Sequence, residues 1–188
     1  MVSDKREAIL NAAIGLFTEF GFQGAPTSKI AKEAGVGTGT LFHYFKTKEE
    51  LINRLYVEIK KELSSEMSAD LDIESTVYGK LKRFWCNTLQ WGPKNAQKAN
   101  FYRLFCASPF ITALSKDEAR SHLLFLFEII EEGKRQRIVK DMPTEMLVEI
   151  IIGIIQGTAQ SLIDTPEKLA DKDYLESIYH VLWDSIRQ

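Results

Sequence analysis

In "DKREAILNAAIGLFTEFG" the apolar positions Ile9, Ala12, Ala13, Leu16, Phe17 and Phe20 return every three or four residues, the period of one helix face, and Gly21 closes the run. "GFQGAP" reads as a turn stiffened by Pro26. A short helix over Ser28 to Ala34, with Thr27 as its N-cap, turns Ile30, Ala31 and Ala34 inward, and Gly35 suits the left-handed conformation that ends it. Thr38 to Phe45 makes a second short helix with Leu41, Phe42 and Phe45 inward. Thr47 and Glu50 then form a capping box ahead of a longer helix, "KEELINRLYVEIKKEL".

The same periodicity continues to the C-terminus. After the polar break "SSEMSADLD", helices are expected over Ile73 to Trp91, ended by "GPKN", and over Ala96 to Ala107. Three more follow: one near Lys116 to Arg137 with Ser115 as a cap, one over Glu145 to Ile163 and one over Tyr174 to Ile186. No segment alternates as a strand would. The expected fold is all-α with about nine helices. An N-terminal three-helix module, 1–47, precedes a larger helical body, 48–188, with the helix over 48–68 as connector. The three short helices cannot hold a core alone and need the connector against them.

Composition narrows the class. A hydrophobic share of 45% against 27% charged residues fits a folded chain. Cys86 and Cys106 supply neither a disulfide framework nor a CxxC pair, so reduced thiols in a cytoplasmic protein are expected. The N-terminus lacks the pattern of a secretory leader, and "IIIGII" at Ile150 to Ile155 is far short of the roughly 20 apolar residues of a membrane span. No membrane association is expected. Net charge is −2, yet residues 1–61 hold 9 bases and 7 acids, so the basic excess lies at the N-terminal end.

Catalytic signatures are missing. His43, His122 and His180 lack ligand spacing, and there is no GxSxG, HExxH or P-loop; "GVGTG" follows a helix with no preceding strand. No enzyme activity, metal or cofactor is expected.

Two short helices joined by a glycine turn form a helix-turn-helix, whose second helix enters the major groove of DNA. Ala31 permits a close crossing, Val36 fills the angle, and Ile30, Leu41 and Phe45 form the shared core. Thr38, Gly39, Thr40, His43 and Tyr44 face outward or obliquely, and all but Gly39 can hydrogen-bond a phosphate or a base edge. Lys46 and Lys48 stand just beyond, suited to backbone charge.

The run "TSKIAKEAGVGTGTLFHYFKTKEEL" and the preceding "ILNAAIGLFTEFGFQGAPT" resemble the DNA-binding signature of the tetracycline-repressor (TetR) family of transcriptional regulators, specifically over about residues 5–55. The resemblance implies DNA contacts from Thr27, Ser28, Gly37, Thr38, Thr40, His43, Tyr44, Lys46 and Lys48. Gly37 departs from the serine that relatives often carry at that helix start, and Phe42 from the commoner tyrosine. The implied partner is double-stranded DNA with a palindromic operator, bound by a homodimer and released by a small apolar or amphipathic effector. A helical ligand carrier, or a protein-interaction module that no longer uses its head, is the alternative.

Two further sets of residues belong to this reading. "EMLVEIIIGIIQGTAQSLI" is apolar almost all round, with Ile150, Gly153 and Gly157 as a narrow ridge, and Tyr174, Ile178, Leu182 and Ile186 run down one stripe of the last helix. These are the expected dimer interface. The middle of the chain is aromatic, and the expected ligand pocket draws on Phe84, Trp85, Thr88, Leu89, Phe101, Arg103, Phe105, Phe110, His122, Phe127 and Gln156.

Overall fold

The computed structural model describes residues 2–109 and 121–188. Ser115 and Phe110, expected as a helix cap and a pocket residue, lie outside the described residues. Nine α-helices are found among the described residues: α1 (Val2–Gly24), α2 (Thr27–Glu33), α3 (Thr38–Tyr44), α4 (Lys48–Ser68), α5 (Val77–Lys94), α6 (Ala96–Cys106), α7 (Leu124–Arg135), α8 (Thr144–Asp164) and α9 (Lys172–Ile186). They fall into two compact units, residues 1–61 with 96–118 and residues 62–95 with 119–188.

In the first unit α1 packs against α2, α3 and α6, and α2 against α3. Ile9, Ala13 and Phe17 of α1 meet a core completed by Ile30, Leu41, Leu51 and Ile52, all fully buried. The glycine at 21 breaks the helical path inside α1 at φ 70°, the stop expected there. Phe20, expected inward, is 43% exposed, and the Lys29 ammonium lies 3.6 Å from the centre of its ring. Phe101 of α6 sits edge-on to Phe22, with ring centres 5.6 Å apart, and Phe105 stacks on Tyr56 at 4.0 Å. Arg6 of α1 is ion-paired to Glu58 of α4.

In the second unit α8 packs against α5, α7 and α9, and α5 packs against α7 and α9. Leu81, Phe84, Trp85, Leu126, Ile130, Leu147, Ile151, Tyr179 and Leu182 form its core. Proline at 93 was expected to stop α5 but lies within its last turn. There the missing N–H costs one bond, and the Asn95 N–H still reaches the Trp91 carbonyl at 3.0 Å. The chain end is tied down by the Gln188 N–H, which donates to the Ile138 carbonyl at 2.8 Å.

Where α7 ends, the glycine is closely packed. A Cβ at Gly133 would lie 2.5 Å from Val139 Cγ2 and 3.1 Å from Val77 Cγ1. We expect Gly133→Ala to destabilise the protein by about 1–3 kcal/mol, the usual range for overpacking a core. A thermal melt with an unchanged midpoint would refute this.

Candidate nucleic-acid interface

The turn between α2 and α3 is built by backbone geometry. Gly35 takes φ 66°, a region that L side chains avoid. Its N–H donates to the Lys32 carbonyl at 3.1 Å, and the Val36 N–H donates to the Ala31 carbonyl at 2.9 Å. This 6→1 and 5→2 pair is a Schellman stop, which turns the chain sharply into α3. Ala31, 1% exposed, lets the two helices approach.

Two expected caps differ in detail. Thr27 is the first helical residue of α2, with Pro26 at the N-cap, because proline already holds the extended φ/ψ that position needs. Ahead of α4, Thr47 Oγ1 accepts from the Glu50 N–H at 3.1 Å, while the Glu50 carboxylate accepts from the N–H of Lys46, one residue earlier than in the usual box.

With Leu41 and Phe45 buried, α3 turns a definite face to solvent. Thr38, Gly39, Phe42 and His43 are exposed along it, while Thr40 and Tyr44 are half-buried at its flank. Ser28, Gly37 and Lys46 are exposed; Thr27 and Lys48 are half-buried. The His43 and Tyr44 rings meet edge to face at 5.5 Å. The Lys48 ammonium lies 6.0 Å from the centre of the Phe17 ring, and burial lowers its pKa somewhat.

Phe42 corrects the sequence reading. It was assigned to the core, but it is 39% exposed on the same face as Thr38 and His43. Four residues from Thr38, it presents an apolar ring where a groove-facing helix could use one. Lys29, exposed on α2, is the other group that spacing alone did not single out.

The remaining expected residues divide between the units. Phe84, Trp85, Thr88 and Leu89 are buried in the second, where Phe127 and His122 are half-buried. Phe101 and Phe105 are buried in the first and already engaged with neighbouring rings. Arg103 and Gln156 point to solvent, which corrects their expected place inside a pocket: Arg103 lies on the open side of α6, and Gln156 shares the exposed side of α8 with Gly153 and Gly157. In the second unit a depression of about 270 Å³ is lined by Glu74, Gly79, Lys82, Arg83 and Cys86. Arg83 is paired with Glu74 and Lys82 with Glu176, so its polar walls are largely self-satisfied.

On α9 the expected stripe shifts by one position. Leu182 and Ile186 are buried in their own unit, because they face the core beside Tyr179. Val181 is 63% exposed and joins half-buried Tyr174 and Ile178 on the outer side. Both glycines of α8 are exposed, and beyond the local backbone of α8 a Cβ at either would meet nothing within 4 Å among the described residues. By length and composition α8 could cross a membrane, yet it packs on three helices of its unit.

A helix-turn-helix with an open recognition helix defines a DNA-binding protein. The description "Bacterial regulatory proteins, tetR family" matches residues 9–55. "Tetracyclin repressor-like, C-terminal domain" matches residues 56–188. The chain belongs to the TetR family of DNA-binding transcriptional regulators and is not an enzyme. Among solved structures it is similar to a protein of Shewanella sp. PV-4 assigned to the tetR family of transcription regulators, at 29% identity and a TM-score of 0.91 over 98% of both chains. It is also 26% identical, over 85% of this chain and 84% of the other, to the fatty acid metabolism regulator protein of Bacillus subtilis. The structure of the transcriptional regulator FadR from Bacillus subtilis in complex with stearoyl-CoA shares the fold, at a TM-score of 0.75 and 23% identity over 94% of this chain and 96% of that one.

Proposed function

We propose that the chain is a cytoplasmic homodimeric repressor that binds a palindromic operator and is released by a small amphipathic effector. The observation that carries this reading is the solvent-facing row Thr38, Phe42 and His43 on a helix whose opposite side is locked by Leu41 and Phe45. Those three would meet base edges, while Thr27, Ser28, Gly37, Thr40, Tyr44, Lys46 and Lys48 would contact the phosphates around them. The division of labour follows the sequence: residues 1–47 bind DNA, and residues 48–188 sense the effector and dimerise.

One head presents too little surface for a specific site, and two-fold pairing doubles it. The uncovered side of α8, with its exposed glycines, and the outer row Tyr174, Ile178 and Val181 of α9 are the faces that would meet their copies. The likeness to the fatty acid metabolism regulator supports an acyl-type amphipath as effector. The Trp91 indole N–H, buried in the second unit without a partner among the described residues, is a donor that such a ligand could satisfy. Release requires that the effector bind the two dimer spacings with different affinities; equal binding shifts nothing.

Selection from random duplex DNA tests the reading. We expect a symmetric motif with half-sites about 10 base pairs, or a multiple of that, apart and an affinity that falls steeply with salt. Failure to enrich a symmetric motif, with salt-insensitive binding, would favour the carrier alternative.

A further inference from the structure

One charged side chain is buried in the first unit with no opposite charge beside it among the described residues. Lys60, on α4, is 4% exposed. Its ammonium donates to the Tyr102 hydroxyl at 3.1 Å and lies 5.2 Å from the centre of that ring. Tyr102 stacks on Tyr56, with centres 5.8 Å apart, and Tyr56 stacks on Phe105. The Cys106 thiol stands one helical turn on from Tyr102, and the two groups interact electrostatically. Among the described residues no carboxylate pairs with Lys60. Glu58, two positions away, is held by Arg6 and Arg54.

A phenol and a thiol are a poor environment for a buried cation. Ammonium has three N–H donors, and the hydroxyl of Tyr102 accepts only one of them. Buried charges are normally paired, because isolation from water costs several kcal/mol. Desolvation duly lowers the pKa of Lys60. It also raises that of Tyr102, so this group stays a neutral hydroxyl able to donate or accept.

We propose that Lys60, with Tyr102, forms an anion-binding site in the first unit that takes the carboxylate or phosphate head of an apolar-tailed molecule. The head group supplies the missing counter-charge and accepts the unused N–H donors. Rings of Tyr56 and Phe105 provide the apolar surroundings that favour an amphiphile over a free inorganic ion. Tyr102 is half-buried and Cys106, four residues on, is exposed, so a row of groups on α6 leads from solvent to the ammonium. Lys60 also lies on the helix whose Leu51, Ile52 and Leu55 are buried in the unit that holds the head. Occupancy is therefore placed to alter operator affinity, a consequence that rests on the regulator reading above, whereas the binding itself does not.

The test uses the full chain with decanoate, decyl phosphate and neutral 1-decanol. We expect at least one anion to bind about ten- to a hundredfold more tightly than the alcohol, the usual worth of a hydrogen bond to a charged group. Lys60→Met should abolish this preference and Lys60→Arg should keep much of it. Lysine-selective NMR of the native chain gives a second readout, in which the binding anion moves the Lys60 side-chain resonance and the alcohol does not. That measurement decides the matter if a variant fails to fold. Equal affinity for anion and alcohol, a preference that survives Lys60→Met, or an unmoved Lys60 resonance overturns the site. Operator binding in the same samples separates the two readings: Lys60→Met that still binds operator but ignores the anion supports the site, while a native chain that binds the anion and no operator refutes only the regulator.

Discussion

Gly157→Asp, and likewise Gly153→Asp, should run as a folded monomer near 21.5 kDa and lose operator binding by about 10²–10⁴-fold, the gain that joining two binding modules normally confers. Beyond the local backbone of α8, neither glycine has an atom among the described residues within 4 Å of the Cβ it lacks, so an aspartate side chain has room in the isolated subunit. Aspartate is also no worse than glycine as a helix former. The cost falls at the pair: a carboxylate pressed into a close apolar crossing has neither water nor a partner and costs several kcal/mol. Light scattering gives the mass, circular dichroism the helix content and fluorescence anisotropy the DNA affinity. Ser75→Asp, on an exposed residue outside α8 and α9, should change none of the three. A Gly157→Asp dimer with native affinity would remove α8 from the interface.

What the sequence made readable follows from which signals are local. The α2–α3 turn was readable because a left-handed backbone needs Gly35, and Thr47 was readable because capping uses one side chain and the next turn. Phe42 was misplaced because an aromatic at helical spacing beside Leu41 looks like core; only the tertiary position of α3 decides that residue 42 faces out. Leu182 against Val181 is the same problem on α9, where neighbouring apolar residues lie about 100° apart around the helix and α9's packing selects one. Lys60 escaped for the opposite reason. A lysine in "EIKKEL" reads as solvated, yet it stands four residues after Tyr56 and three before Leu63, both buried, so the stripe already pointed to it. Pro93 reads as a stop, but the last turn of a helix can do without that N–H.

Substitutions on α3 should separate reading from gripping. Thr38→Ala and His43→Ala should change the selected motif at one or two positions per half-site, each worth about 1–3 kcal/mol of discrimination. Phe42→Ala should relax any preference for thymine, since an aromatic ring recognises the C5-methyl by apolar contact. Lys48→Gln should instead weaken all sequences alike and flatten the salt dependence by about one unit per protomer, as loss of a phosphate contact does. Tyr44→Phe should weaken binding uniformly as well, because the hydroxyl is the group offered to a phosphate. Exposure makes this test clean: Thr38, Phe42 and His43 contribute little to the head's core, so melting midpoints should stay near native. Leu41→Ala is the wrong probe, because emptying a fully buried position would cost about 2–5 kcal/mol and abolish binding by unfolding the head. If the motifs selected by the Thr38, Phe42 and His43 variants were identical to the native one, α3 would not be the element that reads the bases.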